Sequence, residues 1–158
     1  PHAVVARLAE AYAPGDTDLA WSRGTLWRGL LAAALDEPPY EPVLSAHVTG
    51  EGSRPSMELL AGWLAERLGC PVTTEPDGSG LITEVRLERA GVPIVLRREP
   101  GTQVAVLSRP DRPDQQTNLP VRTLPDCLME ELRRLDPDEA YAHALTRGLP
   151  AVASRSLR

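Results

Sequence analysis

Apolar side chains recur at Leu26, Trp27, Leu30, Leu31, Ala34 and Leu35. That spacing predicts a helix buried along one side. Thr25 precedes it as an N-cap whose hydroxyl can accept from an unpaired backbone N–H. A helix unbroken from Asp18 would carry Arg23 into the apolar stripe, where an unpaired guanidinium is costly. The chain therefore either breaks near Gly24, which is the expectation, or buries Arg23 as an ion-pair partner. Ser53-Arg54-Pro55 starts the clearest helix: Met57, Leu60, Trp63, Leu64 and Leu68 share a face, Glu58 and Glu66 lie off it, and Gly69 ends it as a left-handed C-cap. Val4, Val5, Leu8, Ala11 and Tyr12 mark one side of a helix over residues 2–13, stopped by Pro14 and Gly15, with Asp16 or Asp18 able to open the next turn. Thr123 and Asp126 read as a capping box before Leu124, Leu128, Leu132 and Leu135, a stripe expected to pack. A last helix starts at Asp136-Pro137-Asp138-Glu139, with Pro137 at N1 and Glu139 at N3. It packs Ala140, Tyr141, Ala144 and Leu145 and ends at Gly148-Leu149-Pro150.

Between these helices the period changes to two. Residues 43–49 have strand character, and prolines 38, 39 and 42 make the segment before them a linker. With the helix from Pro55 and a strand after the turn at residues 75–80, they predict a crossover unit. Residues 81–89, 92–98 and 102–108 read as an antiparallel meander, turning at Ala90-Gly91 and Glu99-Pro100-Gly101. Thr83, Arg86 and Glu88 alternate with Ile82, Val85 and Leu87, the mark of one wet face. Residues 115–119 add an edge strand. The pattern predicts one α+β domain over residues 1–150, an antiparallel sheet of about four to six strands packed against helices from both ends of the chain. Residues 151–158 are expected to be a flexible tail.

A length of 158 residues suits one domain. The formal net charge of −5 argues against a general nucleic-acid or anionic-membrane binder. No apolar run approaches the roughly 20 residues of a membrane span, and no signal peptide is visible. Every basic side chain is arginine, so lysine chemistry of any kind is excluded. Cys70 and Cys127 form neither a redox pair nor a zinc spacing, and two reduced, unbonded thiols are expected. His2, His47 and His143 fall on three elements, none beside a nucleophile or a carboxylate pair. Glu130-Glu131 and Asp138-Glu139 suit helix surfaces and helix starts. Gly78-Ser79-Gly80 runs into a strand and reads as a turn rather than a phosphate cradle. No dinucleotide fingerprint, metal site or other cofactor site is expected, and the reading is of a non-catalytic domain.

Two clusters suit recognition. Trp21, Arg23 and Arg28 have the composition of a protein-contact anchor. Trp27 and Trp63 lie on apolar stripes and belong to the core, whereas Trp21 lies off the stripe and fits either role. Arg97, Arg98 and Arg109, with Arg86 and Arg89, make an arginine-rich sheet region. It could bind an anion in bidentate fashion, or be a solvated face paired with Glu84, Glu88 and Glu99.

The run Asp18-Leu19-Ala20-Trp21-Ser22-Arg23-Gly24-Thr25-Leu26-Trp27-Arg28-Gly29-Leu30-Leu31 resembles the signature helix of the OpcA family, the glucose-6-phosphate dehydrogenase assembly or activator proteins of actinobacteria and cyanobacteria. The likeness continues through residues 32–36, 56–68 and 95–98, Leu107-Ser108-Arg109-Pro110, and residues 130–139, covering nearly the whole chain in order. Members of the family are longer, and the likeness is to their C-terminal domain. The leucine-, alanine- and arginine-rich composition is consistent with an actinobacterial source. The resemblance implies a cytoplasmic accessory protein that binds glucose-6-phosphate dehydrogenase and promotes its assembly or activity in the oxidative pentose phosphate pathway. The competing reading is a regulatory domain holding a sugar phosphate on the arginine-rich sheet face. Cyanobacterial relatives are linked to thiol-based redox control, which the spacing of Cys70 and Cys127 does not carry over.

Overall fold

A computed structural model of the chain describes residues 2–52, 54–133 and 136–154. The elements run α1 (His2–Ala11), α2 (Leu19–Arg23), α3 (Thr25–Leu35), β1 (Ser45–Gly50), α4 (Pro55–Leu68), β2 (Val72–Pro76), β3 (Ile82–Glu88), β4 (Ile94–Arg98), β5 (Val104–Ser108), β6 (Gln115–Asn118), α5 (Leu124–Arg133) and α6 (Glu139–His143). A π-helical turn (Ala144–Gly148), a 3₁₀ turn (Leu149–Ala151) and β7 (Val152–Ser154) complete them. The chain does break at Gly24, which caps α2 and opens α3. Asp18 caps α2, its carboxylate accepting from the Ala20 N–H at 2.7 Å. Thr25 is not the N-cap of α3. It is the first helical residue, and its hydroxyl is used elsewhere.

The seven strands form one mixed sheet in the order β6-β5-β4-β3-β1-β2-β7. The meander β3-β4-β5-β6 is antiparallel, as the alternation predicts. The expectation of a wholly antiparallel sheet of four to six strands is corrected at the other end, where β1–β2 and β2–β7 pair in parallel. The crossover through α4 is present but closes on β2 rather than on residues 81–89, which pair antiparallel to β1. The short run Val72-Thr73-Thr74 carries too little alternation to separate it from the turn that follows. Residues 152–154, expected in a flexible tail, instead add the edge strand β7. The remainder of that tail, and Leu135, lie outside the described residues.

Burial follows from this layering. The face carrying Ala46, Val48, Val85, Leu87, Leu96 and Leu107 packs against α3 and α4 to form the main core. On the opposite side of α4, Leu59 joins a second cluster with Val5, Trp21, Tyr141, Ala144, Leu145 and Leu149, which come from the two ends of the chain. With apolar partners on two sides, α4 is buried almost all round. Leu59 and Glu58, off the expected stripe, are as enclosed as Leu60, while Trp63 is only half-buried, bridging the two clusters. Gly69 caps α4 in the left-handed conformation, φ 61°. At Gly62 the helix backbone touches the π-helical turn, so that a Cβ on Gly148 would stand 1.8 Å from the Gly62 carbonyl oxygen. Asp138, not Asp136, caps α6, accepting from the Tyr141 N–H at 3.1 Å; Glu139 is therefore the first helical residue.

Candidate functional site

Because α2 is a separate short helix, its inward side is set by the second cluster and not by the stripe of α3. Trp21 is 2 % exposed, and its indole N–H donates to Asp138 Oδ2 at 2.7 Å. The Arg28 guanidinium lies 3.4 Å over the Trp21 ring. Arg28 Nη1 donates to the Trp21 carbonyl at 2.7 Å, and Nη2 to the Thr25 hydroxyl at 3.1 Å. Tyr141 tilts against the indole at 5.7 Å between centroids. Burial pushes its hydroxyl far above the usual phenol range, with the Asp18 and Asp16 carboxylates adding to the shift. Of the three residues expected to contact a partner, Trp21 and Arg28 are thus interior, and Arg23 alone of the trio has partial solvent access. Trp21 locks α2 to the start of α6. Trp21→Ala is expected to cost about 3–5 kcal/mol in urea unfolding, the range for deleting a buried indole. A loss below about 1 kcal/mol would remove this role.

The same joint orients α5. The Thr17 and Ser22 hydroxyls donate to the Glu131 carboxylate. Thr25 donates to Glu130 at 2.8 Å, and Arg122 pairs with Glu130. Thr123 and Asp126 form the expected capping box: the Thr123 N–H donates to the Asp126 carboxylate at 2.9 Å and its hydroxyl at 2.6 Å. The expectation that the leucines of this helix pack inward is overturned. Leu124, Leu128 and Leu132 are 54 %, 47 % and 66 % exposed, with Met129 and Val121 exposed beside them. Ser22 is fully buried and needs an acceptor. Glu131 supplies it, which turns the acidic side of α5 inward. Cys127 is the buried residue on this helix. The leucine spacing alone could not reveal this, since it defines a stripe without saying which way it points.

The arginines expected as an anion-binding face are dispersed. Arg97 and Arg98 are successive strand residues and point to opposite faces, exposed and buried respectively. Arg97 pairs with Glu84 at 2.9 Å, and Arg109 pairs with Glu37 at 2.6 Å in the proline-rich linker. Arg89 is buried and holds that linker through the carbonyls of Pro39 and Glu41. Glu84 and Glu88 act as the carboxylate partners anticipated for a solvated face.

His47 Nδ1 meets the Thr73 hydroxyl at 2.6 Å, while His143 lies 3.5 Å from Glu66 on another layer. Cys70 and Cys127 are free thiols, and burial raises the pKa of both. Among the described residues, no group of three or more His, Cys, Asp or Glu could hold a metal ion, and no helix is long and apolar enough to cross a membrane.

The family model OpcA_G6PD_C, which describes the C-terminal domain of a glucose-6-phosphate dehydrogenase subunit, matches residues 14–145. The chain belongs to this family. The part of the OpcA-family domain so matched runs from α2 through α6, and includes both the Trp21–Arg28–Asp138 joint and the leucine side of α5. No curated protein and no solved structure matches the chain.

Proposed function

We propose that this OpcA-family domain is a non-catalytic accessory domain that associates with glucose-6-phosphate dehydrogenase and promotes its assembly or activity. The observation that carries this reading is the outward leucine face of α5. Three leucines at i, i+4 and i+8 are the anchors of a helix that lies on a partner's apolar groove. Leaving them in water forgoes roughly 1.5–3 kcal/mol for each large side chain that burial would return. The family is named for a subunit of the dehydrogenase, so the dehydrogenase is the occupant proposed for this face. The capping box, the two glutamates and the tryptophan joint hold the helix rigidly, which lowers the entropic cost of docking.

Promotion of activity requires unequal contact, because a partner shifts a conformational or assembly equilibrium only by its difference in affinity for the two states. The test is the steady-state rate of the cognate dehydrogenase, at a concentration where it is partly dissociated, with and without this protein. A saturable rise in rate or in the assembled fraction supports the proposal. An unchanged rate and an unchanged assembly state at saturating protein would remove it.

A further inference from the structure

Four arginines from separate parts of the chain line one pocket. Arg23 comes from the end of α2, Arg54 from the start of α4, Arg98 from β4, and Arg122 from the segment before α5. Trp27 and Met57 contribute buried apolar surface, and Glu51 is the single carboxylate among the described lining residues. A protein of net charge −5 has thus gathered four guanidinium groups around one concavity. Arg122 is engaged, donating to the Ser22 carbonyl at 3.1 Å and pairing with Glu130. The other three lack a carboxylate partner among the described residues.

Arg98 is the informative member. It is 9 % exposed, donates to the carbonyls of Ile82 and Leu119, and lies 5.6 Å from the centroid of the Trp27 ring. A guanidinium at that depth is expensive unless an anion accompanies it. Carbonyl acceptors and an aromatic face offset part of the cost, and leave the charge itself unmatched. Burial correspondingly lowers its pKa, the direction expected of a cation without a counter-charge.

The pocket also receives the start of α4, through Ser56 and Met57. This is a 14-residue helix whose N-cap, Arg54, makes no side-chain capping bond and whose first helical residue is proline. The positive end of the helix dipole, at Ser56 and Met57, adds to the arginines. The pocket is open at its mouth and offers about 60 Å³ of space, room for a small polyatomic group and more than a single water requires. It suits one tetrahedral oxyanion rather than a whole sugar.

We infer that this pocket is an oxyanion site that binds a phosphate group through Arg23, Arg54, Arg98 and the N-terminus of α4. The phosphate belongs either to free orthophosphate or to the ester of a small metabolite whose remaining atoms extend past the rim formed by Arg54 and Val121. The inference stands apart from dehydrogenase association, since the ligand binds this chain alone.

The test is calorimetric titration of the isolated protein, at fixed ionic strength, with inorganic phosphate, with glucose 6-phosphate as a probe ester, and with glucose. Saturable binding of one or both phosphates, and none of glucose, is expected. Tighter binding of the ester assigns a metabolite, and equal or weaker binding assigns the free oxyanion. Arg23→Ala with Arg54→Ala removes two groups that make no side-chain hydrogen bond among the described residues, and should weaken binding at least tenfold with the fold intact. Arg7→Ala with Arg147→Ala removes equal charge away from the pocket and should leave binding unchanged. Absence of saturable phosphate binding, or equal weakening in the two double variants, would overturn the inference.

Discussion

Replacing Gly148 with alanine is expected to destabilise the domain by about 3 kcal/mol or more, the upper part of the range for overpacking a filled interior. The sign is opposite to what helix propensity alone would give. Gly148 has φ −77° and ψ −46°, a backbone that alanine adopts freely, and Gly→Ala in a helix ordinarily gains about 1 kcal/mol. Here the added methyl would meet the Gly62 carbonyl oxygen at 1.8 Å and its carbonyl carbon at 2.6 Å. Both obstacles are backbone of α4, which is itself clamped between the sheet and the second cluster. Relief requires the C-terminal turns to move away from α4, opening the contacts of Ala144, Leu145 and Leu149 together. For a domain of this size about 3 kcal/mol corresponds to a fall in Tm of roughly 6–12 °C. Gly29→Ala is the control: nothing lies within 4 Å of its Cβ position, and a gain of up to about 1 kcal/mol is expected there. A Gly148→Ala protein as stable as the parent would show that the two helices are not in glycine-mediated contact.

Replacing Leu128 and Leu132 together with glutamine should separate binding from folding. Glutamine is a good helix former, and both positions are exposed in the free domain, so stability should stay within about 0.5 kcal/mol of the parent. If the leucines are buried against the dehydrogenase, the pair forgoes about 3 kcal/mol of interface energy or more, a loss of affinity of at least about a hundredfold. The comparison is with Trp21→Ala, which should lose stability first and binding only as a consequence. Equal affinity of the parent and the Leu128→Gln/Leu132→Gln protein would show that α5 is not the docking face.

Most of the helices and the antiparallel meander are legible in the sequence because their signals are local. The period of residues 26–35, the proline at the start of α4, the glycine at its end and the capping box at Thr123 each act within one or two turns. Four features need the tertiary structure. Strand β7 has only three residues, and β2 runs into the turn signal at Glu75 and Pro76, so neither reads as a strand; both pair in parallel with the edge that β1 and then β2 offer. Trp21 reads as fitting either role because it lies off the α3 stripe, yet it belongs to a different helix with its own core. The direction of the leucines on α5 depends on Ser22 and Thr17, more than 100 residues away in the chain, which draw the glutamates inward. The arginine pocket is the same kind of feature: Arg23, Arg54, Arg98 and Arg122 are separated by whole elements, and only the folded chain brings them to one concavity.

The most direct measurement is amide hydrogen exchange of the domain, free and saturated with glucose-6-phosphate dehydrogenase. Docking through the leucine face predicts slowed exchange concentrated in residues 121–133, with α4 and the sheet unchanged. Protection confined to other surfaces, with residues 121–133 exchanging as in the free domain, would contradict it.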